Sequence, residues 1–155
     1  IAIRAFNVLR QYDESEVSKS WQLMTNRLAP EGFLVEGTCD EIGRRSSWVA
    51  LRSQEKIPET FTISLHVGSL EMPSEIAPRL PKALIHRNVP GEKIYDFLQE
   101  FDRAWLGNSA MIPFGARQRW VAAVEALRSS YPILDNKVRW RLGEVTIPWE
   151  VVAPK

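Results

Sequence analysis

The chain has 155 residues, 45% of them hydrophobic, and its twenty basic side chains against nineteen acidic ones leave a formal net charge of +1. One domain of this size buries roughly 70% of the surface its unfolded form exposes. Near-neutrality argues against a general binder of nucleic acid or anionic membrane and leaves only a local basic patch open. The single cysteine, Cys39, excludes an internal disulfide, and with His66 and His86 as the only histidines no zinc-type ligand cluster can be assembled. No apolar run reaches the length of a membrane span and no signal peptide is visible, so the expected location is cytoplasmic. The chain opens on Ile1, already inside an apolar segment, and reads as cut from something longer that could carry a targeting sequence.

In chain order, Ile1 to Leu9 is apolar and β-branched enough to enter a core as a strand, with Arg4 and Asn7 its only polar members. Val17, Trp21, Met24 and Leu28 then recur at helical spacing and share one face. Asp13 fits as the N-cap, with Glu16 three residues on as its capping-box partner. Ala29-Pro30-Glu31-Gly32 is the turn that ends this helix. Phe33, Leu34 and Val35 follow as an apolar run of the kind found in a strand covered on both faces, with Glu36 to Glu41 at its carboxyl end. Strand, helix, strand in this order predicts a βαβ unit, whose two parallel strands end on one edge of the sheet. That edge brings Asn7 to Tyr12 beside Glu36 to Glu41, where open α/β sheets bind ligands.

Beyond it, residues 46–53 and 60–67 look like an antiparallel hairpin. Pro73, Pro78, Pro81 and Pro90 make residues 71–91 an irregular connector, in which Pro81 can start a short helix over Lys82 to Ile85. Residues 92–106 place Ile94, Phe97, Leu98, Phe101, Ala104 and Trp105 on one helical face, and residues 115–130 do the same with Trp120, Val121, Val124 and Leu127. The chain closes with Val145, Ile147, Trp149 and Val151 in alternation, a pattern that Pro148 restricts to an edge strand.

The order of elements over residues 1–70, with the segments IRAFNVLRQY and NRLAPEGFLVEGT, resembles the second half of the class I, Rossmann-like S-adenosylmethionine-dependent methyltransferases. The first segment is similar to their fourth strand and its loop, and the second to the turn leading into their fifth. The resemblance implies an α/β fold: the later half of a Rossmann-like sheet, an antiparallel end, and a helical and edge-strand extension over residues 71–155, all within a single domain. It implies S-adenosylmethionine as cofactor and methyl transfer to an unidentified acceptor. The glycine-rich cofactor turn of such proteins is absent, since no G-x-G-x-G occurs, so the cofactor-holding half is expected in a missing amino-terminal part of the same protein.

Carried onto this chain, the resemblance puts Asn7, Arg10 and Gln11 at the cofactor. It offers Asp40 and Glu41 as catalytic carboxylates and leaves Tyr12, Glu36, Arg44 and His86 to the acceptor. Plainer readings stand beside these. Asp40 and Glu41 can simply pair with Arg44 and Arg45 or cap a turn, Arg10 can be a surface residue, Cys39 a packed thiol and His86 a structural histidine. An amide such as Asn7 at the end of a buried strand must in any case find a hydrogen-bond partner. Two rival functions belong to other classes. One is a non-catalytic interaction module that uses the extension as its surface. The other is a nucleic-acid binder, which requires the basic residues at 117–119 and 139–141 to share a face.

Overall fold

A computed structural model describes all residues, 1–155. It shows an α/β fold with one five-stranded mixed sheet in the order β1-β2-β3-β4-β5. The strands are β1 (Ala2–Phe6), β2 (Phe33–Cys39), β3 (Arg45–Arg52), β4 (Thr60–Leu65) and β5 (Glu144–Pro148). β1 and β2 are parallel, and every other neighbouring pair is antiparallel.

β1 stops earlier than its apolar run suggests. Asn7 takes a left-handed backbone (φ 60°), a conformation asparagine tolerates better than most residues, and Leu9–Gln11 turn as a single 3-10 coil. α1 (Glu14–Thr25) is the crossover to β2. Its start is secured by the Glu16 carboxylate, which accepts the Asp13 N–H at 3.2 Å. Of the four apolar positions that mark this helix, Val17, Trp21 and Leu28 are buried and Met24 is half-buried.

The register sorts the sheet into two unlike faces. Leu34, Val49, Leu51, Phe61, Ile63, Val145 and Ile147 alternate onto one of them and are at most 1% exposed. The opposite face carries Arg4, Phe6, Phe33, Val35, Trp48 and Ala50, all exposed or half-buried, with Phe33 left 47% open. β2 is therefore covered on one side and not on both, as its apolar run suggests. Gly37 belongs to this outer face, and a Cβ there would stand 2.6 Å from that of Trp48 and 2.2 Å from the Ser47 carbonyl oxygen, so only glycine fits.

Residues after β4 return over the buried face. A 3-10 segment, Pro73–Arg79, lies across the sheet, and the Arg79 carbonyl accepts the hydroxyls of Thr38 and Ser47, each at 2.5 Å. α2 (Lys82–Ile85) is the short helix that Pro81 begins. α3 (Lys93–Gly107) and α4 (Ala116–Leu127) pack together, with the Phe101 ring tilted against that of a fully buried Trp120, centres 5.1 Å apart. α5 (Lys137–Trp140) leads into β5, which pairs with β4 and so completes the sheet from the far end of the chain. The strand ends at Pro148, and Trp149 turns inward to meet Trp21 edge to face, ring centres 6.1 Å apart. Trp21→Ala is expected to lower the free energy of unfolding by about 3 to 5 kcal/mol, since a site held by both the sheet and the carboxyl-terminal turn can hardly collapse. Urea denaturation measures it, and a loss under about 1 kcal/mol would contradict the burial of Trp21.

Candidate functional site

The parallel pair ends on one edge. There the Asn7 N–H donates to the Gly37 carbonyl at 2.9 Å, and the Asn7 side chain clasps Cys39. Its Oδ1 accepts the Cys39 N–H at 3.0 Å, while its Nδ2 donates to Cys39 Sγ at 3.4 Å. The partner an amide needs at this place is thus the next strand. The guanidinium of Arg79 donates to the Cys39 carbonyl at 3.3 Å, and Lys82 Nζ reaches the Arg10 carbonyl at 3.5 Å, so the connector closes over the same edge. Arg10, Gln11 and Tyr12 stand exposed on the coil after β1 with no hydrogen bond from their side chains.

Asp40 shapes the β2–β3 turn. Its Oδ1 accepts the Arg44 N–H at 2.8 Å and its own N–H donates to the Arg45 carbonyl at 3.0 Å. Glu41 points to solvent without a partner, and Arg45 pairs at 3.0 Å with Glu75 rather than with either neighbouring acid. Under this turn lies a hollow of about 270 Å³ whose polar wall is Asp40, Arg44, Arg45, His66, Ser69 and Glu75. Asp40 and Arg44 meet there, but Asn7 does not line it. His66, Ser69 and Glu75 join from residues far along the chain, and no local pattern in the sequence connects them to Asp40.

The chemistry open to this hollow follows from what its groups already hold. Glu75 accepts N–H groups from Glu71 and Met72 on one oxygen, at 2.6 and 3.0 Å, and Arg45 on the other. His66 Nδ1 is 2.9 Å from Ser69 Oγ, but that hydroxyl belongs to the same 3-10 turn and no carboxylate orients the ring. A nucleophile–base–orienter set is therefore missing. The Arg44 guanidinium and the remaining nitrogen of His66 are left to bind and position a polar ligand. No three His, Cys, Asp or Glu side chains converge closely enough to hold a metal ion, and no helix is long and apolar enough to cross a membrane.

Of the residues assigned to the acceptor only Arg44 lines this hollow: Tyr12 stays on the coil after β1, and the other two lie elsewhere. His86 follows the last turn of α2, exposed and without a hydrogen bond to the rest of the edge. Glu36 is corrected more sharply. It sits on the buried face of β2, 1% exposed, accepting the Trp21 indole N–H at 3.2 Å, where no acceptor molecule reaches it. The period-two alternation of β2 explains this: Leu34, Glu36 and Thr38 must share a face, and Leu34 is core.

Burial pushes the Glu36 carboxyl up from 4.5 to about 7, against the opposing pull of the Trp21 hydrogen bond. Between these two values the folded chain keeps a proton that the unfolded chain has lost, so stability falls as pH rises through that window. At about 1.4 kcal/mol per unit, the loss amounts to about 3 kcal/mol and is complete above neutrality.

In comparisons with known proteins, no family model, no curated protein and no solved structure matches the chain.

Glu36→Gln keeps the shape and an acceptor for Trp21 while removing the titration. Denaturant unfolding across pH 4.5 to 8 should show the wild type losing about 3 kcal/mol that the variant retains. Parallel curves for the two proteins would mean that Glu36 is solvated in the native state.

Proposed function

We propose that residues 1–155 form the acceptor side of an S-adenosylmethionine-dependent methyltransferase, with the cofactor held mainly by further polypeptide alongside β1. One observation carries this reading. β1 is an edge strand in a parallel pair, and next to its unpaired edge the outer face of the sheet leaves Phe33 exposed and Phe6, Val35 and Trp48 half-buried. Soluble domains seldom leave such a strand and apolar face open. A parallel strand added at this edge would extend the sheet and place its own carboxyl end beside Asn7.

The residues present do not by themselves fit the cofactor. Both polar atoms of the Asn7 side chain are committed to Cys39, and Arg10 and Gln11 stand on open surface. The edge thus offers one wall, whereas small-molecule sites bury 70 to 90% or more of their ligand. Asn7 acts in this reading as the clasp that sets the level of the β1 and β2 ends. Arg10 and Gln11 are the side chains free to meet the cofactor. Asp40 and Arg44, in the hollow beneath the β2–β3 turn, are the acceptor-facing pair. Glu41, exposed at the tip of the same turn, can join them only by swinging inward. Transfer of a methyl group asks a protein chiefly for alignment and exclusion of water, so the absence of a nucleophile–base set in the hollow is compatible with this chemistry.

A non-catalytic interaction module is the second reading, favoured by the same open face of the sheet if a different protein covers it. Calorimetric titration of S-adenosylmethionine distinguishes the two. Residues 1–155 alone should bind it weakly or not at all, and a longer polypeptide including the residues encoded upstream should bind it tightly. Tight binding to the short chain would falsify the division of the site, and no binding to either would leave the interaction module.

A further inference from the structure

We propose that a second hollow, between the end of β4 and the start of α4, binds a small phosphate-bearing ligand through Arg117 and Arg141. It measures about 420 Å³ and shares Leu65 and His66 with the hollow under the β2–β3 turn. The inference does not depend on methyl transfer.

The two basic clusters of the sequence divide in the fold. Arg119 is spent inside the protein: its Nε and Nη2 donate to the Trp105 carbonyl at 3.1 and 3.0 Å, and its guanidinium lies 4.0 Å over the indole of Trp105. Arg139 pairs with Glu144 at 3.2 Å. The side chains of Arg117 and Arg141 have neither an acidic partner nor a hydrogen bond, yet both residues line one cavity, and no Asp or Glu lines it with them. Two exposed guanidinium groups that line one hollow repel each other, and a doubly charged anion between them relieves that repulsion. Leu65 and Leu142 form apolar parts of its wall.

Charge and geometry name its class. Two permanently charged planar forks match a dianionic phosphate, which accepts paired N–H groups from each, whereas a single carboxylate leaves one fork unmatched. Size and surroundings favour a small molecule over a nucleic-acid strand. The tryptophans that alternate with these arginines, Trp120 and Trp140, are 0% and 2% exposed and offer no base a stacking surface. His66 is the only ring in the wall.

The test titrates inorganic pyrophosphate into the 155-residue chain by calorimetry at low ionic strength. Saturable one-to-one binding is expected, weakened about tenfold or more by Arg117→Gln or Arg141→Gln and lost in the double variant. Arg139→Gln, which breaks only the pair with Glu144, should leave it within about twofold. Circular dichroism confirms the fold of each variant. Should the double glutamine variant fail to fold, Arg117→Lys with Arg141→Lys keeps the charge and removes the forks, and is expected to bind with intermediate affinity. Absent binding, or binding indifferent to these substitutions, overturns the proposal. So does tighter binding of a single-stranded oligonucleotide with a steep salt dependence, which would assign the arginines to a nucleic-acid surface.

Discussion

The indole of Trp21 is the contact on which the architecture turns. Its N–H meets the buried carboxyl of Glu36, its ring edge meets Trp149, and its helix is the crossover that makes β1 and β2 parallel. Three segments, one of them more than a hundred residues along the chain from the other two, are thereby joined at one side chain. A carboxyl in such a place is costly when ionised, and burial keeps it mostly as the acid until the pH approaches about 7. The same feature that ties the helix to the sheet therefore makes stability sensitive to pH. It also removes from the site a residue whose position in the sequence suggests exposure.

Placing all the helices on one face has consequences at the edge. The connector after β4 must cross the sheet to reach α3, and the Arg79 carbonyl anchors it where the Thr38 and Ser47 hydroxyls converge. That anchor sets Arg79 and Lys82 over the ends of β1 and β2, and brings the Pro73–Arg79 segment close enough for Glu75 to take Arg45. Arg44 is left without an acidic partner as a result. The binding capacity of the hollow is thus a product of the way the return segment is tied down, while the outer face over β1 to β3 stays partly open.

β5 fixes the segment before it against the end of β4, which borders both hollows. By pairing with β4 it fixes Gly143 beside Leu65, with a positive φ of 84° and so little room that a Cβ would lie 2.0 Å from the Leu65 carbonyl oxygen. The tight approach places Arg141 and Leu142 next to the end of β4, across from the start of α4. His66, at that end, contributes to both hollows. Polar groups from residues 40–45, 69–75, 117 and 141 meet around Leu65, the last residue of β4, and the adjoining His66.

Much of this was legible from residue spacing. The face of α1, the inner faces of α3 and α4, the capping by Glu16, the hairpin of β3 and β4 and the short helix after Pro81 all follow from local periodicity and turn chemistry, which depend on neighbours a few residues away. The parallel β1–β2 pair with its shared edge was legible as well, because one helix between two apolar strands leaves few alternatives. Tertiary structure alone decided the rest. An apolar run such as Phe33 to Val35 does not reveal whether one face or two will be covered, since part of the cover, such as the Pro73–Arg79 segment, arrives from far along the chain. Asp40, Arg44 and Glu41 were identifiable as a polar turn, but whether an acid pairs with its neighbour or with a backbone N–H depends on Glu75, which arrives thirty residues later to take Arg45. Arg117 and Arg141 could be read only as members of basic clusters. Which arginines the fold consumes, and which it leaves facing a cavity, is settled by pairings with Trp105 and Glu144 that form only when helices and strands have packed, because such contacts are fixed by distance in space and not by distance along the chain.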